Sequence, residues 1–293
     1  MPAGDREGSS GVSDAVRPRG PFSLRASAHR AGDSTRTRAD GPLVAALTTG
    51  GLGRAWQQPD GTVQLRAPDE PGLAELRFVL ALDDDHSEFL ESFRDDPLLR
   101  RALPVLRGLR PLRLGTVTHS LLRAVCGQLI QARLAREIER NVIRAAMPQV
   151  GGTRLRLPPD PAALGRFSPA ELRRLGLGAR RGATLVRLCR SVDLERLRSL
   201  PTDAATERLE RERGLGPWSV GVICLEGLGR FERGLVGDLG LVKLCSALRG
   251  RRVETWETAE LLEPYGRWAG LASVYLLSAF PRGLVPLPAR VAA

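Results

Sequence analysis

The chain has 293 residues, 42% of them hydrophobic, and a formal net charge of +11. That is enough apolar material for two or three small units in one body, and the charge points to a polyanionic partner, with a plain arginine bias as the competing explanation. No run approaches the roughly 18 apolar residues of a membrane span, residues 1–35 lack the apolar segment of a secretory signal, and the scattered cysteines, Cys126, Cys189, Cys224 and Cys245, fit buried thiols of a reducing compartment better than a zinc or iron–sulfur site.

Taken in chain order, residues 1–20 read as a disordered basic tail. Residues 21–95 read as a small α+β domain built on an antiparallel sheet. Its strands are expected at 43–47, at 62–66 after the turn Pro59-Asp60-Gly61, and at 76–82. Beyond Asp83 the pattern turns helical, and 96–293 form a helical domain of two lobes around a cleft. Residues 118–147 carry a long amphipathic stripe, broken near Gly127-Gln128 or Ile130-Gln131. Shorter helices follow at 158–164, 169–175, 180–190 and 193–200, punctuated by Gly and Pro. The acidic run Asp83-Asp84-Asp85 reads as solvated. The histidines His29, His86 and His119 have no metal-ligand spacing and read as surface or linker residues; no metal site is expected.

The informative stretch begins near 202. One helix runs to Arg213, then Gly214-Leu215-Gly216 turns the chain, and Pro217-Trp218-Ser219 opens a second apolar helix. Pro217 suits a first helical turn. Two glycines one residue apart permit a tight reversal and a close approach by phosphate, with the amides at the start of the second helix pointing outward. This is the physics of a helix-hairpin-helix clamp, at about 202–228, that grips backbone and reads no sequence. Downstream, Asp238 stands before another apolar helix. Asp at that position caps helices; a carboxylate facing a DNA clamp would also stabilise an oxocarbenium ion or activate water. From the residues alone both roles stay open. Trp218 is likewise either a stacking face for an electron-poor base or core.

Together, Gly214-Leu215-Gly216-Pro217-Trp218-Ser219 and Asp238 resemble the hairpin-plus-aspartate signature of the helix-hairpin-helix DNA glycosylases, nearest the 3-methyladenine glycosylase II branch. Ala124 to Ile130, Pro264 to Trp268 and Ala272 to Leu277 support the resemblance, which spans about 21–286. It implies a monofunctional base-excision repair enzyme acting on duplex DNA with alkylated bases, with Asp238 as the catalytic carboxylate after base flipping. It implies a base pocket from Trp218, with Tyr275, Trp268 and Phe22 as further candidates. It implies DNA contacts from Arg213, Gly214, Leu215, Gly216, Ser219, Gln128 and Leu129, with Leu129 filling the vacated stack. No organic cofactor is implied; a monovalent cation at the hairpin is allowed. A monomer acting in the cytoplasm at the nucleoid is expected.

Bifunctional relatives carry a lysine where Trp218 stands, and Lys243 is a poor substitute, so strand cleavage is not expected. Several positions depart from the pattern. Glu212 and Arg213 replace a hydrophobic residue and a proline, His119 stands where a glutamate is common, Gln131 where a serine is common, and Val222 where some relatives have an aromatic. These leave base preference open. The competing readings are a glycosylase for a deaminated or oxidised base, a non-enzymatic DNA-binding module in which Asp238 only caps, and a basic RNA-binding protein.

Overall fold

A computed structural model describes residues 11–29, 31–38 and 41–288. The N-terminal part is a five-stranded antiparallel sheet in the order β1-β5-β4-β3-β2. The strands are β1 Val12–Val16, β2 Arg36–Arg38, β3 Leu43–Ala46, β4 Leu52–Gln57 and β5 Val63–Ala67, with a one-turn helix α1 at Leu24–Ser27. Alternation sets the faces: Val63, Leu65 and Ala67 point into a core with Leu43 and Ala55, while Arg66 points out.

Two sequence expectations fail here. Val12–Val16 is a strand paired along β5 from Val12↔Ala67 to Val16↔Val63, so the disordered tail does not extend to residue 20. Polar flanks hid this short run; residues 1–10 lie outside the described residues. The strand expected at 76–82 is instead the end of helix α2, Glu70–Val79, whose Leu73, Leu76 and Val79 face inward. Asp69 caps it, accepting from Gly72 N at 2.8 Å, and Ala81 at φ +54 breaks the chain away. The apolar run Leu80-Ala81-Leu82 is the exit of a helix that looks like a strand.

The helical part begins with α3 Ser87–Ser92 and α4 Ala102–Val105. Phe89 of α3 already belongs to the helical core, so that body starts ahead of the boundary expected at 95. Next come α5 Val117–Gly127, α6 Ala132–Ala146, α7 Pro161–Gly165, α8 Pro169–Arg174, α9 Ala179–Ser191 and α10 Thr202–Glu210. Then come α11 Pro217–Val222, continued by a π-helical turn Ile223–Leu228, and α12 Leu239–Arg249, α13 Glu257–Leu262 and α14 Ala269–Ala279. The helix expected at 202–213 stops at Glu210; the break expected after Gly127 is the loop 128–131. α5 packs against α6, α9 and α11, whereas α14 packs against α4, α12 and α13, and both groups share one apolar core. Among the described residues, no helix is long and apolar enough to cross a membrane.

Helix α5 is the centre of the molecule. Residues Val117 to Cys126 are all buried, polar ones included. Its polar side meets the sheet domain and α6. Arg123 Nη2 donates to Asp33 Oδ2 at 2.6 Å and to Glu139 Oε1 at 2.8 Å, and its Nη1 donates to Glu226 Oε2 at 2.5 Å. Arg36 Nε lies 3.3 Å from Asp33 Oδ2. His119 Nε2 lies 2.8 Å from Glu139 Oε1. His119 and His86 are therefore buried, not surface residues; His29 is exposed. Asp33, His119 and Glu139 come close enough to resemble metal ligands, but the Arg123 guanidinium is the cation bridging the two carboxylates.

Candidate active site

The chain reverses between α10 and α11. Gly214 has φ +95, and a Cβ there would lie 2.7 Å from Thr184 Oγ1 of α9. Gly216 has φ −98 and open space around it. Arg213, Gly214, Gly216 and Pro217 are exposed. Two of the expected DNA contacts turn inward instead: Leu215 is 9% exposed and Ser219 2%. Leu215 anchors the turn in the helical core, so its side chain is not available to DNA.

Glu212, one of the departures from the family pattern, is held from behind. Arg187 Nη1 donates to its Oε2 at 2.6 Å, and Arg208 pairs with Oε1. Burial pushes the Glu212 carboxyl up, but these two guanidiniums hold it below its ordinary range. Arg187 Nη2 also donates to Arg213 O at 2.7 Å. The turn is thus fastened to α9, a role for Arg187 and Thr184 that the sequence showed only as an arginine-rich helix.

The loop 128–131 lies beside this turn. Gln128 Nε2 donates to Gly214 O at 2.8 Å and to Ser219 Oγ at 3.0 Å. Leu129 is 90% exposed with φ +56. A leucine in the left-handed region costs about 1 to 2 kcal/mol, and its exposed side chain recovers nothing by packing.

Trp218 opens α11, half-buried, with its ring against Gly127, where any Cβ would collide with the indole. Its Nε1–H donates to Asp238 Oδ2 at 3.1 Å. The other carboxylate oxygen, Oδ1, accepts from Gly240 N at 2.8 Å and caps α12. Asp238 is therefore a cap and an oriented carboxylate at once. It is half-buried, reached through Gly237 at φ +87, and flanked by Leu239, 45% exposed.

The other aromatic candidates do not join this pair. Tyr275 is 1% exposed, and its hydroxyl donates to Leu106 O and Leu109 O at 3.3 Å. Trp268 stacks on Phe231 with centroids 6.0 Å apart and adjoins Phe89 and His86. Phe22 packs against the sheet-domain core beneath the Arg110 guanidinium. The sequence marked them as rare aromatics; Tyr275 and Trp268 go into a core cluster around Phe89, and Phe22 into the sheet-domain core. Val222 is buried, and Lys243 is exposed on α12.

No family model matches the chain. A DNA-3-methyladenine glycosylase of Bacillus subtilis (strain 168) is 24% identical over 205 residues, 67% of this chain and 67% of that protein. Among solved structures, a 3-methyladenine DNA-glycosylase from Archaeoglobus fulgidus matches with a TM-score of 0.78 at 18% identity, covering 92% of this chain and 98% of that one. A Clostridium acetobutylicum 8-oxoguanine glycosylase/lyase in complex with double-stranded DNA matches at 0.75, with 18% identity over 93% and 98%.

Proposed function

We propose that this chain, which has the fold of the helix-hairpin-helix DNA glycosylases, is a monofunctional base-excision repair glycosylase for alkylated, 3-methyladenine-type bases in duplex DNA. The observation that carries this is the Trp218–Asp238 hydrogen bond, which ties the helix behind an exposed glycine turn to one half-buried carboxylate. The Bacillus relative named for 3-methyladenine supports the substrate class.

The turn and the positive end of the second hairpin helix hold a phosphate. Leu129 enters the stack vacated by the everted nucleotide. Asp238, aimed by Trp218, faces the deoxyribose and stabilises positive charge at C1′. The glycosidic bond breaks with its electron pair leaving on the base. A cationic alkylated purine departs neutral, so no second carboxylate is needed to protonate it. Water adds to C1′ and releases its proton to bulk solvent. With Trp218 in place of a lysine, no Schiff base forms. The carbonyls of Glu212, Arg213 and Gly214 accept from Leu215 N, Arg187 Nη2 and Gln128 Nε2, so a bridging cation at the turn would use their second lone pairs. The enzyme acts as a monomer at the nucleoid.

The test is base release from duplexes bearing one alkylated, deaminated or oxidised base. Release from the alkylated duplex without borohydride-trappable adduct is expected. DNA binding with no base released from any duplex would leave only a binding module. The two glycines separate structure from contact. Gly214→Ala is expected to lower Tm by roughly 3 to 6 °C, from left-handed strain and the Thr184 contact. Gly216→Ala is expected to leave Tm unchanged but weaken DNA binding, because its Cβ meets only the incoming phosphate.

A further inference from the structure

We propose that Arg181 is a positioning residue that holds the Leu129 wedge in its protruding conformation. This rests on the glycosylase reading above. Helix α5 ends at Gly127 with its last carbonyls free of helix partners. Arg181, on the first turn of α9, spans that end: Nη1 donates to Cys126 O at 3.3 Å and to Gln128 O at 3.2 Å. The two carbonyls flank the Gly127-Gln128 step, so one guanidinium sets the direction in which the chain leaves the helix.

From the other side, the Gln128 amide is hooked to the hairpin at Gly214 O and Ser219 Oγ. The backbone is thus held at the carbonyl and the side chain of the residue just before Leu129. With that residue fastened twice, Leu129 is left at φ +56 with its side chain 90% exposed. Nothing local favours that conformation for leucine; the clamp around it does. No carboxylate among the described residues pairs with Arg181, so its charge is committed to these carbonyls and to the helix end, where a cation is favoured. Both bonds leave one nitrogen, Nη1; a lysine ammonium reaching that point would keep the charge but, as a strongly hydrated point charge on a flexible stem, would hold the two carbonyls less rigidly.

The role predicts coupling rather than a simple loss. Single-turnover base release would be measured on a fully paired duplex carrying one alkylated purine, for the natural protein, Arg181→Ala, Leu129→Ala and the double variant. Arg181→Ala is expected to slow release about tenfold and, in the Leu129→Ala background, to have no further effect, since no wedge remains to be placed. Arg181→Lys is expected to fall between and covers the case in which the alanine variant does not fold. Equal rates for Arg181→Ala and the natural protein, or losses that multiply in the double variant, would overturn this role while leaving the glycosylase reading intact. No release by the natural protein would remove that reading itself.

Discussion

Asp238→Asn is expected to release alkylated bases about a thousandfold more slowly than the natural protein, with DNA binding and folding largely kept. The substitution removes the negative charge at the carboxylate and little else. Asparagine caps helices as well as aspartate does, so Gly240 N–H keeps an acceptor in the side-chain oxygen. The Trp218 Nε1–H then meets an amide NH2 and loses its partner, at about 1 kcal/mol. Single-turnover base release, duplex binding and Tm, measured on both proteins, check this. Near-equal release would reduce Asp238 to a cap. A collapse of binding as well would mean that the pair holds the hairpin and does no chemistry.

Much of this site was legible because its parts are local. Pro217 at a helix start, glycines on either side of Leu215 and an Asp before an apolar helix are each written within a few residues. The break after Gly127 was legible for the same reason. What could not be read is what packs against these parts. Leu215 and Ser219 look like neighbours of Gly214 and Gly216, yet Leu215 anchors the turn in the core and Ser219 lies on the buried face of α11. Arg187 and Arg181 sit in a run of similar arginines; only the crossing of α9 over the hairpin and over the end of α5 distinguishes them. Tyr275 and Trp268 look like pocket material because aromatics are scarce, but the geometry spends them on core. The sheet was half legible: β5 alternates clearly, whereas β1 and β2 are short and polar and gain their meaning from the strands they pair with.

The largest effect on stability is expected at Arg123, a residue that periodicity assigns to no role. It joins Asp33 of the sheet domain, Glu139 of α6 and Glu226 of the π-helical turn, with side-chain exposures of 7% for Arg123, 1% for Asp33 and 2% for Glu139. Arg123→Met keeps the bulk and leaves buried carboxylates short of their shared cation, a loss of about 3 to 5 kcal/mol at neutral pH. The pH dependence has a definite sign. Burial alone would raise the Asp33 and Glu139 carboxyls, but Arg36 and Arg123 for the first, and Arg123, Arg136 and His119 for the second, hold both well below the carboxylate range. Glu226 is lowered in the same way by Arg123. Groups with depressed folded values stabilise fully above the unfolded carboxylate range, near pH 4, and lose that contribution as pH falls toward the folded values. The natural protein is therefore expected to lose stability steadily below about pH 4. In Arg123→Met the same carboxyls favour the charged form less strongly, with Arg36 left to Asp33 and Arg136 and His119 left to Glu139, so acid neutralises an under-compensated charge and relieves part of the defect. The stability gap between the two proteins, measured by denaturant unfolding, is expected to narrow from pH 7 to pH 3. A gap that stays constant across that range would show that Arg123 acts by packing alone, and that the two domains are not joined through these charges.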